Sequence, residues 1–365
     1  MDLLDFRSNL NPEGPPPWLA EAEEAARAAS EEEDGAETGT RRPGPAAGSK
    51  NASASPRFRK AVEVCAQRFF FSPGCFVFGE GANDLLSILP RALEVDTVLV
   101  LPPTYSGFQR AAAAANLPLQ IHAAREEDGY TLRPGALRAD MARIPGRALV
   151  FLGRPNNPAG VPLPMDTVLE AARVLPGHYL CVDESYAELA EGVEPVLAPG
   201  RRLPDNLLIL RSLTKALAIP GLRLGFVAAF SSLAGRIAAA LKPRPRNLRA
   251  EEIAFRAVSD PGFFKASAAR IAGYRARYAE RLSRIPGVKP ETGYANFLLM
   301  RIEGADARQA ARAARSRGVD FRDYAEGEYL DGSRWLRTSV RRDEDNQRAA
   351  EVLEEALREI RGQES

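Results

Sequence analysis

Between residues 75 and 230, short apolar runs recur with room for one helix between most neighbours. They are residues 75–79, TVLVL, LPLQIHAA, RALVFLG, HYLCVDE, NLLILRS and GFVAAF. Runs that are apolar on both alternating faces need cover on both sides, as central strands of a parallel sheet do. Helical patterns fall at about 57–70, over LLSILPRAL, through Ala111 to Ala115, near 134–143 and near 164–174. This alternation predicts an α/β fold with a mostly parallel sheet covered by helices on both faces. Ligands of such sheets bind beyond the carboxyl ends of the strands, so the residues that follow each run are the candidates for chemistry.

The flanks read differently. Residues 1–19, with Asn9, Asn11, Gly14 and prolines 15 to 17, read as an extended arm with turns. Residues 20–33 form a helix pattern, and the small, polar, Gly/Pro-rich residues 34–56 read as a mobile loop. After Phe230 come the helix SSLAGRIAAALK and one long amphipathic stretch from about 249 to 284. Strand signals at ANFLLMRI and WLRTSV then alternate with helices near 305–317 and 343–361, which predicts a second, smaller α+β domain. The expected division is an arm and polar loop over 1–45, a large domain over 46–245 and a small C-terminal domain over 246–365.

Charge and cysteine usage narrow the function classes. A net charge of +1 and a pI near 7.7 give no electrostatic reason to expect nucleic acid or an acidic membrane as partner. A small-molecule ligand fits better. Cys65, Cys75 and Cys181 form no CxxC pair, which argues against a disulfide framework and for a reducing compartment. The first residues lack a basic-then-apolar leader, and no stretch has the roughly 18 apolar residues of a membrane span. A cytoplasmic protein is expected. Two histidines, His122 and His178, are too few for a His/Cys metal site, and no GxSxG elbow marks a serine hydrolase.

Of the 49 basic residues six are lysines. Where arginine is the habitual cation, Lys215 in SLTKALAIPGLR stands out. A partly desolvated amine can lose its proton and attack a carbonyl, which a guanidinium cannot do. HYLCVDESY ends in Asp183, followed by Tyr186. A buried aspartate there could hold a heteroaromatic ring nitrogen protonated, or Asp183 or Glu184 could simply cap the next helix. GEGAND (79–84) offers helix N-terminal N–H groups to a phosphate, although it is only part of a dinucleotide fingerprint. The turn PNNPAG (155–160) could aim an asparagine at the crevice or be structural. Tyr105 in LPPTYSGF could stack on a planar group or pack in the core. Arg337 in WLRTSVRR could meet a carboxylate bidentately, and its neighbours Arg341 and Arg342 show how common arginine is here.

In order, GEGAND, PPTYSGF, PNNPAG, DESY, SLTK, PGLRLGF, ANF and WLR resemble the motifs of fold-type I pyridoxal-phosphate enzymes of the class I/II aminotransferase group, over about residues 1–345. Within that group the chain is similar to histidinol-phosphate aminotransferases and to the threonine-phosphate decarboxylases of cobalamin synthesis. The resemblance implies a seven-stranded, mostly parallel sheet in the large domain, pyridoxal 5'-phosphate as cofactor and a homodimer. It also implies roles by residue. Lys215 would be the Schiff-base lysine, Asp183 the partner of the pyridine nitrogen, and Asn157 and Tyr186 the partners of the cofactor's phenolic oxygen. Tyr105 would stack on the ring. Ala82, Asn83, Ser212 and Arg223 would cup the phosphate, Arg322 and Arg337 would bind substrate, and Asn11 and Gly14 would belong to the arm that closes the site.

One departure stands against these matches. The family's Tyr-Pro-Asp segment, whose tyrosine reaches the neighbouring subunit's cofactor phosphate, has no counterpart, because no tyrosine precedes Tyr105. The first functional expectation is amino transfer from a small amino acid or amine, with or without a phosphate, to a 2-oxo acid. The second is decarboxylation of such a substrate, suggested by LDFRSNLNPEGPPP and AIPGLRLGF. The third, prompted by the absent tyrosine, is a cofactor-binding homologue with weakened turnover. A nicotinamide-dependent dehydrogenase would need a complete glycine fingerprint, which the chain lacks.

Overall fold

The computed structural model describes residues 3–37, 58–122, 132–243, 247–324 and 329–363. The arm contributes β1 (Leu4–Asp5) and leads into α1 (Leu19–Glu37). The central block runs α2 (Arg59–Phe69), β2 (Phe76–Gly79), α3 (Ala82–Ala92), β3 (Thr97–Val100), α4 (Ser106–Ala115), β4 (Leu119–Ile121), α5 (Pro134–Met141), β5 (Ala148–Gly153), α6 (Met165–Arg173), β6 (Tyr179–Asp183), β7 (Leu207–Ser212) and β8 (Gly225–Ala228). The rest comprises α7 (Ser231–Ala240), α8 (Leu248–Ser259), α9 (Pro261–Ser283), β9 (Val288–Pro290), β10 (Phe297–Ile302), α10 (Ala307–Ser316), β11 (Val319–Asp320), β12 (Trp335–Ser339) and α11 (Asp343–Gln363). Most of the predicted polar loop, residues 38–56, lies outside the described residues, and so does the end of the predicted strand LPLQIHAA.

Seven strands form the main sheet in the order β2-β8-β7-β6-β5-β3-β4, and only β8 runs against the others. The mostly parallel α/β sheet expected from the apolar runs is therefore present. Its two faces divide by side-chain parity. Ala148, Val150 and Leu152 of β5 join one core and Leu149 and Phe151 the other, as a strand of period two buried on both sides requires. All residues of β3 and β7 are buried. Beyond this block β12, β10 and β9 make a second, antiparallel sheet.

The predicted helix over 249–284 is two helices. Pro261 has no N–H to donate, so it starts a new helix, and the Asp260 side chain caps it by accepting from Phe263 N at 3.1 Å. Asp260 also accepts from the Trp18 indole at 3.0 Å, which fastens the break to the foot of α1. The arm is equally tied to the far end of the chain. Leu4 and Asp5 pair in parallel with Val319 and Asp320, and Ser339 N donates to Phe6 O at 2.9 Å.

Candidate active site

β7 ends at Ser212 and the chain turns through Leu213 and Thr214 to Lys215. Thr214 Oγ1 donates to Leu222 O at 2.9 Å and accepts from Leu224 N at 3.2 Å, so the turn is closed on the return strand. Asn11 holds it from behind: its backbone N–H donates to Lys215 O at 3.0 Å and its Nδ2 to Ala216 O and Ser267 Oγ, both at 3.0 Å. With its backbone fixed, Lys215 reaches forward. Its Nζ donates a short hydrogen bond to Tyr186 Oη and lies 4.2 Å from the centre of that ring. Asn9 Nδ2 donates to the same phenol oxygen at 3.1 Å. Burial alone would raise the Tyr186 phenol, but the charges of Lys215 and Arg337 and the two hydrogen bonds outweigh it and hold it below its ordinary value.

At the end of β6 two adjacent carboxylates have opposite surroundings. Glu184 is fully buried in an ionic cluster: Arg211 donates to it at 2.9 and 3.1 Å, Arg154 lies 3.7 Å away, and the Val196 N–H adds a bond at 2.5 Å. Asp183 faces the cleft. Its Oδ1 accepts the Ser185 N–H at 2.9 Å. Burial pushes its carboxyl above the usual range, against the Ser185 hydrogen bonds and the charge of Lys215. Such a group is short of a cation.

An inner cleft of about 630 Å³ is lined by Asp183, Tyr186, Lys215, Asn157, Tyr105 and, on its opposite wall, Gly81, Ala82, Asn83, Ser212 and Arg223. That wall depends on two glycines. Gly81 has φ +86°, and a Cβ there would sit 3.3 Å from the Arg223 guanidinium. A Cβ on Gly225 would sit 2.8 Å from Ala82 N, so β8 lets the start of α3 come close only because it carries a glycine there. The result sets helix N-terminal N–H groups, a hydroxyl and a guanidinium around one spot, a donor set for a phosphate. Tyr105 folds back over Gly107, where a Cβ would strike its ring at 2.1 Å, and its Oη donates to Asn83 Oδ1 at 3.1 Å.

Lys215, a cation-seeking Asp183 and a phosphate cradle share one cleft. A family model described as "Aminotransferase class I and II" matches residues 2–353. The chain belongs to the class I and II aminotransferases. Histidinol-phosphate aminotransferase of Xanthomonas axonopodis pv. citri is 32% identical over 293 residues, with 78% of each chain covered. An adenosylcobalamin biosynthesis bifunctional protein, CobDQ, of Leptospira interrogans is 28% identical over 302 residues, 82% of this chain. The match spans about a third (32%) of that relative's length. Two solved structures share the fold. Histidinol-phosphate aminotransferase from Sinorhizobium meliloti, in complex with pyridoxal-5'-phosphate, superposes with a TM-score of 0.77 at 23% identity, covering 98% of this chain and 92% of that one. L-threonine-O-3-phosphate decarboxylase from Porphyromonas gingivalis gives 0.76 at 20% identity, covering 98% and 100%.

The residues of the cleft fit pyridoxal 5'-phosphate, the group bound in the Sinorhizobium meliloti structure. The glycine-dependent cradle suits the phosphate, the carboxylate short of a cation suits a protonated ring nitrogen, and the amine beside a phenol suits the aldehyde end.

The inner cleft opens into an outer one of about 1240 Å³. Asn11 and Gly14 do not line either cleft. Asn11 is buried behind the lysine turn and Gly14 has no atom within 4 Å of a Cβ position. The arm meets the cleft through Arg7, Ser8, Asn9 and Leu10 instead. Arg322 and Arg337 both line it, joined by a backbone bridge, and Arg337 donates to Asn157 Oδ1 at 2.8 Å and Arg7 O at 2.6 Å. Its Nε is buried with no hydrogen-bond partner among the described residues. Asn9 and Thr214 also line the outer cleft. The hydroxyl before Lys215 was a usable signal for Thr214. None existed for Asn9, whose place is set by Asn296 Nδ2 donating to its carbonyl at 2.9 Å from 287 residues away.

Proposed function

We propose that the chain transfers an amino group from a small amino acid or amine, with or without a phosphate, to a 2-oxo acid, as a homodimer in the cytoplasm. The observation that carries the reading is the convergence of Lys215, Asp183, Tyr186 and Arg337 on two connected clefts, with a separate phosphate cradle. In this reading Ala82, Asn83, Ser212 and Arg223 hold the cofactor phosphate, Tyr105 covers the ring, and Asn157 and Tyr186 face its phenolic oxygen. Bound there, pyridoxal phosphate supplies an electron sink for charge developing at the substrate Cα. Asp183 keeps the ring nitrogen protonated. The Lys215 amine would carry the Cα proton, and the Tyr186 phenol oxygen, which accepts from Lys215 Nζ, would set its direction. Arg337 and Arg322 orient the substrate's acid groups. The arm (1–45), large domain (46–245) and small domain (246–365) are the units of this reading.

Incubation of cofactor-loaded protein with O-phospho-L-threonine or histidinol phosphate, with and without 2-oxoglutarate, tests it by mass spectrometry of the products. Product formation that depends on the oxo acid and disappears in Lys215→Ala is the expected result. The LDFRSNLNPEGPPP and AIPGLRLGF segments favour a second reading, decarboxylation of the phosphorylated amino acid. Carboxylate loss without any oxo acid would establish it. Equal background turnover in wild type and Lys215→Ala would instead mark a weakened homologue. Light scattering should give a mass near twice 39.6 kDa; the mass of one chain would refute the dimer.

A further inference from the structure

In the run DESY three of the four side chains have a place already described: Asp183 faces the cleft, Glu184 enters the ionic cluster and Tyr186 meets Lys215. The fourth, Ser185, is 7% exposed and lines the inner cleft beside Asp183. Its N–H donates to Asp183 Oδ1 at 2.9 Å, and its hydroxyl donates to the same carboxyl group. Most residue types would bring the N–H to this position. The second donor comes from the serine side chain.

Ser185 is held by both of its neighbours. Glu184 N donates to Leu210 O at 2.8 Å and Arg211 donates to the Glu184 carboxylate, while the Tyr186 ring stands edge-on to Phe297 with centres 4.9 Å apart. Arg154 N donates to Asp183 O at 2.8 Å, so the strand end that carries the carboxyl is fixed as well. The charged groups that face this carboxyl are Lys215, from the turn after β7, and Glu184, with the Cys181 thiol two residues back on β6. The registered residues of the flanking strands, Gly153 of β5 and Leu210 of β7, bring no charge. In the reading above Lys215 gains and loses a proton during turnover, so its influence on Asp183 changes. The two Ser185 donors stay constant.

We propose that Ser185 is a positioning residue, whose hydroxyl and N–H keep the Asp183 carboxylate ionised and aimed into the cleft, so that the ring-nitrogen proton stays on the cofactor. The inference rests on the ring-nitrogen role given to Asp183 above. A hydrogen bond to an ionised acceptor is roughly twice as strong as one to a neutral acceptor, so each Ser185 donor favours the charged carboxylate over the protonated one. Without the hydroxyl the carboxylate is a stronger base. The proton then moves from the ring nitrogen toward Asp183, and a neutral ring draws less charge from the substrate Cα.

The test is urea unfolding of the cofactor-free protein from about pH 4 to 9, for wild type and Ser185→Ala, each with Asp183 intact and with Asp183→Asn. Ionisation of a carboxyl whose pKa is raised in the fold appears as a loss of stability with rising pH, which Asp183→Asn removes. Ser185→Ala should extend that loss by about one pH unit toward higher pH, while the two curves on the Asp183→Asn background run parallel. In the loaded enzyme Ser185→Ala should lower turnover about tenfold and change KM by less than about twofold, because Ser185 lines the cofactor cleft and not the outer one. Ser185→Thr, which keeps the hydroxyl, should recover most of both effects. Thermal melts identify a variant that fails to fold; should Ser185→Ala do so, Ser185→Cys, a weak donor of similar shape, should move the curve in the same direction. Coincident curves for wild type and Ser185→Ala, an equal extension on the Asp183→Asn background, or a folded Ser185→Thr that recovers neither effect overturns the proposal. Full turnover in Ser185→Ala beside a large loss in Asp183→Asn would refute it alone. Normal turnover in Asp183→Asn would refute the ring-nitrogen role and leave the coupling of Ser185 to Asp183 standing.

Discussion

Burial raises the Asp183 carboxyl above its ordinary value, against the Ser185 hydrogen bonds and the charge of Lys215. Its raised pKa means that ionising it in the cofactor-free protein costs stability at every pH above the ordinary carboxylate range near 4, and that the cost vanishes as pH falls through that range. Asp183→Asn should therefore melt no lower than wild type without cofactor at pH 7, yet lose roughly 100-fold or more of turnover with it. A folded variant with near-normal turnover would sink the ring-nitrogen role. Asn11 is the contrasting case, since it touches no cleft yet holds the lysine turn. Asn11→Ala leaves buried carbonyl and hydroxyl groups unpaired and should cost about 1–3 kcal/mol in denaturant unfolding. Unchanged stability would show that the turn holds itself.

The strand-end cluster behind Asp183 belongs to β5, β6 and β7 together. Arg211 bridges Glu184 and Glu188, and burial, which would lower its pKa, is overcome by those two carboxylates, so its pKa stands above the usual arginine value. Removing one partner of a buried pair strands the other, so Arg211→Met should cost about 3–5 kcal/mol, far more than a surface pair. A loss under 1 kcal/mol by urea titration would show that the cluster is solvated. The start of β5 rests on a histidine that must stay neutral: His178 Nδ1 accepts from Ala148 N at 3.0 Å. Burial, with the charge of Arg147, lowers its pKa. A depressed pKa stabilises the fold above the unfolded histidine's value near 6.5 and loses that contribution as pH falls below it. Between pH 7 and 5 the wild type should thus lose more stability than His178→Gln; parallel curves would contradict this.

Across the whole molecule, the active site is assembled from both ends of the chain. Residues 6–11 reach Ser339, Asn296, Lys215 and Ala216, so the arm joins the C-terminal sheet to the cofactor cleft. Deleting residues 1–8 should lower the melting temperature and weaken every acidic substrate together, because Arg337 loses its hold on Arg7 O. Unchanged affinity for all of them would show that Arg337 keeps its place without the arm.

The local pattern of residues determined the main sheet, its mostly parallel character and the strand-end position of Lys215, Asp183 and Tyr186, because burial on two faces leaves its mark in consecutive residues. Glycines beside helix and strand ends marked the phosphate cradle for the same local reason. Tertiary structure alone decided that Asp183 faces the cleft while Glu184 enters an ionic cluster, and that Arg7 and Asn9, rather than Asn11 and Gly14, reach the ligand side. Those choices depend on hydrogen bonds between groups as far as 330 residues apart, and such pairing has no period along the chain from which it could be read.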